Sequence, residues 1–319
     1  MTSYQKAGVD LEGADRHVDR IAGPVTATWN ESVIGGFGGF AAGVTLPAGL
    51  IDPILMMTTD GVGTKLELAR QTGMWRGVGS DLVAMVVDDL AATGARPLGV
   101  VDYMAVGALD PERDSTIVES IASACQTAGC PLLGGETAEH PGVMTVDQVD
   151  LAATALGVVE RGRELSPHRL EAGDVVIGLR SPNLRSNGFS LVRAILSDST
   201  DRDLVESALE PSVIYSPAVI RTAEAGLIHA AAHITGGGLE ANLARVVPAG
   251  LQAEIDYEAW KVPEIFERIA TLGQVPDEDM RRTFNMGIGF CLIVPPHRAD
   301  DAIGLCGHDA RMIGEVVSR

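Results

Sequence analysis

Apolar runs of strand length alternate with segments of helical period along most of this chain. Strand-like runs at 54–59, 97–106, 131–133 and 151–159 are separated by helical periods at 80–93 and 113–128. A short helix over 14–25 precedes them, with Val18, Ile21 and Val25 on one side. Residues 3–10, SYQKAGVD, are too polar for a core strand. The segment 161–174, RGRELSPHRLEAGD, is polar and rich in turn formers, and reads as a linker. A second series follows, with strands at 174–180, 229–235, 251–256, 284–294 and 310–317. Helices at 188–197, 216–226, 239–246, 262–272 and 298–306 lie between them. The alternation predicts an α/β (α+β) fold, and the break predicts two domains, 1–160 and 161–319.

The helix over 80–93 is the focus of the first series. Ser80 serves as its N-cap and Gly94 as its stop. Leu82, Met85, Val86, Leu90 and Thr93 recur at spacings of three and four and mark the inward stripe. Asp89 falls on that stripe, while Asp81 and Asp88 are assigned to the solvent side. A carboxylate facing a core needs a cation or strong donors, so Asp89 is either a metal ligand or a salt-bridged structural residue. Just upstream, Asp60 ends the apolar run ILMM. Gly61 and Gly63 leave room for a ligand, and Lys65 offers a point charge for a phosphate.

Other candidates stand at element ends. Gly35-Gly36-Phe37-Gly38-Gly39-Phe40 is either a tight bend with two aromatic anchors or a loop whose amides face an anion. Asp102 sits inside an apolar strand, and Glu136 and Glu139 follow another, as ligands or as solvated loop residues. His233 is a core histidine or a titrating group in a cleft. Gly236-Gly237-Gly238 is a plain turn or a helix start suited to phosphate.

Composition narrows the classes. With 319 residues, 46% of them hydrophobic, the chain can bury two cores. A formal charge of -19 argues against nucleic acid or an anionic membrane as partner, though not against a phosphorylated substrate held by local cations. Cys125, Cys130, Cys291 and Cys306 show no zinc-ligand spacing and read as buried thiols in a reducing cytosol. No signal core and no membrane-length apolar run is present, so the expectation is a cytoplasmic protein.

These motifs, in this order, resemble the phosphoribosylformylglycinamidine cyclo-ligase (aminoimidazole ribonucleotide synthetase) family nearly end to end. The resemblance rests on SYQKAGVD at 3–10, GGFGGF at 35–40, TDGVGTKL at 59–66 and GSDLVAMVVDDL at 79–90. It continues through GGETAE at 134–139, SNGFSLVR at 186–193, AHITGGG at 232–238 and TFNMGIG at 283–289. The resemblance implies an ATP- and magnesium-dependent ring closure on formylglycinamidine ribonucleotide. It also implies a homodimer whose first domains join their sheets into a β-barrel, each second domain being an α/β sheet with helices on one face. Asp60, Asp89 and Glu136 would hold metal. Gly35, Gly36, Gly38, Gly39, Asp60, Gly63, Thr64, Lys65 and Asp102 would bind the nucleotide. Arg185, Ser186, Asn187, Gly236, Gly237 and Gly238 would bind the ribosyl substrate, with Lys65, Asp89, Asn187 and His233 as catalytic groups.

The chain departs from the family pattern at Arg185, where histidine is usual, and at His140-Pro141-Gly142-Val143-Met144. It departs again at Ala152-Ala153-Thr154. Arginine stays protonated, so residue 185 is expected to contact the substrate phosphate or the transition state and not to act as a base. The competing readings are another phosphoryl-transfer enzyme of the same architecture, such as thiamine-monophosphate kinase, and a non-catalytic nucleotide-binding module.

Overall fold

A computed structural model describes residues 11–197 and 201–319; the SYQKAGVD segment lies outside the described residues. The first half runs α1 (Leu11–Thr26), β1 (Val33–Ile34), β2 (Gly43–Val44), β3 (Pro53–Gly61), α2 (Lys65–Thr72), α3 (Val78–Ala92), β4 (Arg96–Val106), α4 (Pro111–Ala128), β5 (Leu132–Glu139) and β6 (Val149–Glu160). The second half begins with β7 (Val175–Arg180), α5 (Phe189–Leu196), α6 (Arg202–Ala208), α7 (Ser216–Glu224), β8 (Ala230–His233) and α8 (Gly238–Ala244). It ends with β9 (Leu251–Ile255), α9 (Glu264–Gly273), α10 (Asp277–Thr283), β10 (Ile288–Val294), α11 (Ala299–Cys306) and β11 (Arg311–Ser318).

The first half builds a four-stranded sheet of order β3-β6-β4-β5, in which only the β4–β5 pair is parallel. Leu151, Ala153 and Ala155 alternate along β6 and face the core under α3. The opposite face stays open. Leu55 and Met57 on β3 are 55% and 70% exposed, and Val101 and Tyr103 on β4 are 43% and 42% exposed. Such a row of apolar side chains on a sheet face exceeds what a solvated surface normally shows.

The second half builds an antiparallel sheet of order β8-β10-β7-β11-β9. Ile177 and Leu179 pack with Phe290 and Leu292 under α7 and α11. Val176 and Ile293 pack the other way, with Leu239 and Leu243 of α8 and with Trp260. Helices on one face only was the expectation, and it is corrected: both faces are covered. The reason is legible in β10, IGFCLIV, where every residue is buried and no alternation marks a wet side.

The two halves share a core. Phe189 and Val192 of α5, Phe266 and Ile269 of α9, and Phe284 join one cluster with Leu82 and Val86 of α3. Helix α3 is therefore covered nearly all round. It begins at Val78 with Gly77 as its N-cap, so Ser80 lies inside the helix and does not cap it, and Gly79 lets α3 pack closely against Ser120 and Ile121 of α4. The solvent side expected for Asp81 and Asp88 does not exist, and both are fully buried.

Each buried carboxylate has its own cation. Lys65 Nζ lies 2.7 Å from Asp81 Oδ2 and also donates to the carbonyls of Arg185 and Glu210, at 3.0 and 2.8 Å. Asp81 Oδ1 accepts from the Ser212 amide and hydroxyl at 3.0 and 2.6 Å. Arg185 Nη2 donates to Asp88 Oδ2 at 2.8 Å and Nη1 to the Gly289 carbonyl at 2.9 Å. Asp88 Oδ1 accepts from the Tyr215 and Ser216 amides at the start of α7. Burial presses Lys65 and Asp81 towards their neutral forms, and their mutual contact opposes it. Lys65 thus faces Asp81 inside the protein and presents no charge to a phosphate, which corrects its expected role.

Breaking a buried pair by removing one partner costs about 3–5 kcal/mol. Lys65→Met is expected to lower unfolding stability by roughly that amount, read from the midpoint of urea denaturation followed by circular dichroism. An unchanged midpoint would show that the pair contributes nothing.

Candidate active site

Three loops and one helix meet in a cleft between the halves. At the end of β3, Asp60 Oδ1 accepts from the Gly61 amide at 2.7 Å, and the Asp60 carboxylate is exposed. Gly61 cannot carry a side chain, because a Cβ would lie 2.8 Å from the Leu151 carbonyl oxygen. Ser186 Oγ donates to the Val62 carbonyl at 2.8 Å, and the hydroxyls of Thr64 and Ser190 lie 3.3 Å apart. The 60–64 loop, with Gly63 in it, is thereby pinned to the Ser186-Asn187-Gly188 segment.

Asn187 Nδ2 lies 3.9 Å from the Met85 sulfur of α3. A Cβ placed on Gly236 would sit 3.8 Å from Asn187 Oδ1, so the triple-glycine turn stands beside it. Gly237 and Gly238 have φ of 97° and 69°, and a Cβ on Gly238 would collide with the Arg281 carbonyl. Next to this turn, His233 Nδ1 lies 2.8 Å from Asp89 Oδ1, with the imidazole stacked on Phe290 at 5.9 Å. Thr58 reaches the other Asp89 oxygen at 3.5 Å. Burial raises the Asp89 carboxyl, but the His233 hydrogen bond and the charges of His233 and Arg245 outweigh it and leave it below its ordinary value. A cavity of about 350 Å³ opens here, lined by Thr58, Asp89, His233, Asn242 and Arg245.

A second cavity, about 740 Å³, lies between α1, the glycine loop and the first sheet. Gly36, Gly38 and Gly39 line it with Asp102, Glu136 and Glu139, against an apolar wall that includes Ile21, Val118 and Leu133. Asp102 has no cationic partner among the described residues, and burial pushes its carboxyl up to about 7. A Cβ on Gly135 would lie 2.0 Å from Asp102 Oδ1, so the carboxylate occupies space that only glycine vacates. His17 of α1 is buried in the wall of the same cavity, with Nε2 3.3 Å from Thr137 Oγ1. Burial lowers the His17 pKa, so the ring is neutral near pH 7.

Family models for the AIR synthase related protein match this chain twice, the N-terminal domain over residues 47–159 and the C-terminal domain over 171–319. The chain is 45% identical to a phosphoribosylformylglycinamidine cyclo-ligase of Synechococcus sp. (strain CC9605), over 99% of this chain and 95% of that one. It is 44% identical to the enzyme of the same name in Prochlorococcus marinus (strain NATL2A), over 98% and 95%. The chain belongs to the phosphoribosylformylglycinamidine cyclo-ligase family. Solved structures with the same mixed α/β two-domain fold include thiamine-monophosphate kinase from Stenotrophomonas maltophilia K279a (TM-score 0.67, 19% identity, 98% of this chain and 95% of that one). Another is the hydrogenase maturation protein HypE in complex with ATP (TM-score 0.69, 21% identity, 98% and 88%). At these identities they show the fold alone.

Within a single cyclo-ligase chain the expected metal set is not assembled. Asp60 on β3 and Glu136 on β5 lie on opposite edges of the first sheet, three strand spacings or about 14 Å apart. Asp89 is engaged by His233, and among the described residues no three His, Cys, Asp or Glu side chains converge to hold a metal. Asp89 and His233 line the smaller cavity, Ser186 ties the 60–64 loop to Asn187, and Asn187 adjoins Gly236, whereas Gly36, Gly38, Gly39, Asp102 and Glu136 share the larger cavity. Gly35 is exposed at the start of the loop.

Arg185 is corrected as a direct substrate contact, since its fully buried side chain is committed to Asp88 and Gly289. Phe40 is no anchor, being fully exposed. His17 was missed, although Gly13, His17, Ile21 and Val25 recur every four residues and hold the less exposed side of α1.

A carboxyl whose pKa is raised by folding contributes stability below its unfolded pKa and loses it as pH rises through the folded value. Asp102, near 4 when unfolded and about 7 here, therefore favours the folded state increasingly as pH falls from 8 to 4. Asp102→Asn should flatten this dependence. Melting temperatures of both proteins across pH 5–8 check it: a difference between them that does not change with pH would contradict the assignment.

Proposed function

We propose that the protein is an ATP-dependent cyclo-ligase that converts formylglycinamidine ribonucleotide to aminoimidazole ribonucleotide in purine biosynthesis. The observation that carries this is 45% identity over 99% of the chain to a protein of that name. The geometry supports it through a cleft offering a glycine turn, an amide side chain and a hydroxyl to an anionic ribonucleotide.

The chemistry needs activation, because an amide oxygen does not leave unaided near neutral pH. Its oxygen takes the γ-phosphoryl group of ATP, leaving ADP. An internal nitrogen then attacks the activated carbon and phosphate departs with the oxygen. Asn187 and the Gly236–Gly238 amides hold the ribosyl phosphate, and Ser186 ties this segment to the 60–64 loop. Holding the internal nitrogen against the reacting carbon supplies the proximity contribution. Asp89 orients His233 through Nδ1, and His233 takes the proton lost as the ring closes. The Gly35–Gly39 loop and Asp102 serve the nucleotide.

Asp60 and Glu136 are exposed carboxylates outside every ion pair among the described residues, a donor set that suits a hard divalent cation. They would hold magnesium together with the Asp89 oxygen that His233 leaves free, and the ion would offset charge on the phosphates. Their separation across the sheet supports a homodimer. The uncovered Leu55, Met57, Val101 and Tyr103 face supports closure of two sheets into a barrel, setting the β5 edge of one protomer near the β3 edge of the other. We place the domain boundary at residue 160, after the last strand of the first sheet. No helix among the described residues is long and apolar enough to cross a membrane, and the proposed role belongs in the cytoplasm.

Purified protein given formylglycinamidine ribonucleotide and MgATP should release the aminoimidazole product with one ADP per turnover. Phosphorylation of thiamine monophosphate instead would favour the kinase reading. Asp89→Asn should lower turnover at saturating magnesium by at least ~100-fold while the protein stays folded. Activity within a few-fold of the parent would refute the role of the Asp89–His233 pair. Met57→Asp, aimed at the open sheet face, should shift the light-scattering mass from that of a dimer to about 33.4 kDa. A parent protein already at that mass would rule the dimer out.

A further inference from the structure

We propose that Arg185 is a positioning residue for the ribonucleotide site, acting through Asn187. This rests on the assignment of Asn187 to the ribonucleotide. Arg185 has φ of 59°, a left-handed conformation that a residue with a side chain adopts only when its surroundings impose it. Here they do so from every side. The guanidinium is forked between Asp88 and the Gly289 carbonyl, at 2.8 and 2.9 Å, and lies over the Tyr215 ring at 4.9 Å. The Arg185 amide donates to Asn183 Oδ1 at 3.0 Å, and its carbonyl accepts from Lys65 Nζ at 3.0 Å. Side chain, amide and carbonyl are each fixed by a different part of the molecule.

The consequence falls on the next two residues. A left-handed residue turns the chain sharply, and here the turn carries it from the core to the cleft. Ser186 is still buried and bonded to the Val62 carbonyl, whereas Asn187 is partly exposed beside Gly236. Asp88 is one residue from Asp89, so the same turn of α3 that clamps Arg185 also presents the carboxylate that holds His233. The clamp thereby fixes Asn187 against α3, while Asp89 and His233 keep their own contact. A lysine at 185 keeps the charge for Asp88 but is a point donor without the planar fork, and cannot hold both acceptors in this geometry.

The test compares Arg185→Lys, Asn187→Ala and the double variant in steady-state kinetics, with ribonucleotide binding measured by calorimetry. Arg185→Lys should raise KM for the ribonucleotide by about tenfold, as expected for one misplaced hydrogen bond. KM for ATP and kcat should stay within about threefold of the parent. Asn187→Ala should behave alike, and the double variant should be no worse than Asn187→Ala, because both changes remove the same contact. A melting temperature lowered in Arg185→Lys with unchanged KM would make Arg185 merely structural and overturn the inference. Additive effects in the double variant, or an unchanged KM in Asn187→Ala, would overturn it as well. If the parent binds the ribonucleotide but makes no product, the proposed function fails, and the binding constants still decide the role of Arg185 by the same ordering.

Discussion

Two carboxylates buried seven residues apart on one helix constrain most of this structure. Asp81 and Asp88 of α3 are fully buried, and an ionised carboxylate survives there only with a cation and hydrogen bonds to its remaining lone pairs. The cations come from distant parts of the chain, Lys65 at the start of α2 and Arg185 from the second half. The other oxygens are met by Ser212 and by the amides that open α7. A hydrophobic replacement of similar volume could be as stable as such pairs. What the pairs add is register: only one placement of residues 183–188 and 209–216 on α3 satisfies both carboxylates at once.

That register reaches the cleft through short links. Lys65 follows the 60–64 loop directly and Arg185 precedes Asn187, so the two interior cations stand behind the two loops assigned to the cleft. Phe189, Phe266 and Phe284 pack into the core of the first half, and this shared packing opposes free hinging between the halves. The cleft is therefore preorganised by its supports, and its facing groups need little rearrangement to meet an anionic ligand.

Periodicity made much of this legible, and its failures have physical causes. The strands of both sheets and helices α3, α4, α7 and α11 follow from alternating and 3.6-residue patterns. Helices α2, α6 and α10 were missed because they are short and sparse in apolar residues; α10, DEDMRRT, has Met280 alone to mark an inward side. The solvent face given to Asp81 and Asp88 came from assuming an amphipathic helix, which fails when a helix is covered on all sides. Charge beside a glycine turn pointed to Lys65 as a site residue, and the place before the SNG motif to Arg185, but neither says whether a cation faces a ligand or a buried carboxylate. The glycines were more informative, because steric room at Gly61, Gly135 and Gly238 is set by backbone and side-chain atoms within 3 Å.

The open sheet face and the scattered carboxylates are best treated as one problem. A single chain leaves Leu55, Met57, Val101 and Tyr103 in water, and it leaves Asp60 and Glu136 on opposite sheet edges. Covering the face with helices would solve the first and leave the second. Covering it with the same face of a second copy answers both, because closing two four-stranded sheets into a barrel also brings their edges together. The hydrophobic drive to bury the sheet and the electrostatic demand of a polyphosphate for several carboxylate-held cations then favour the same assembly.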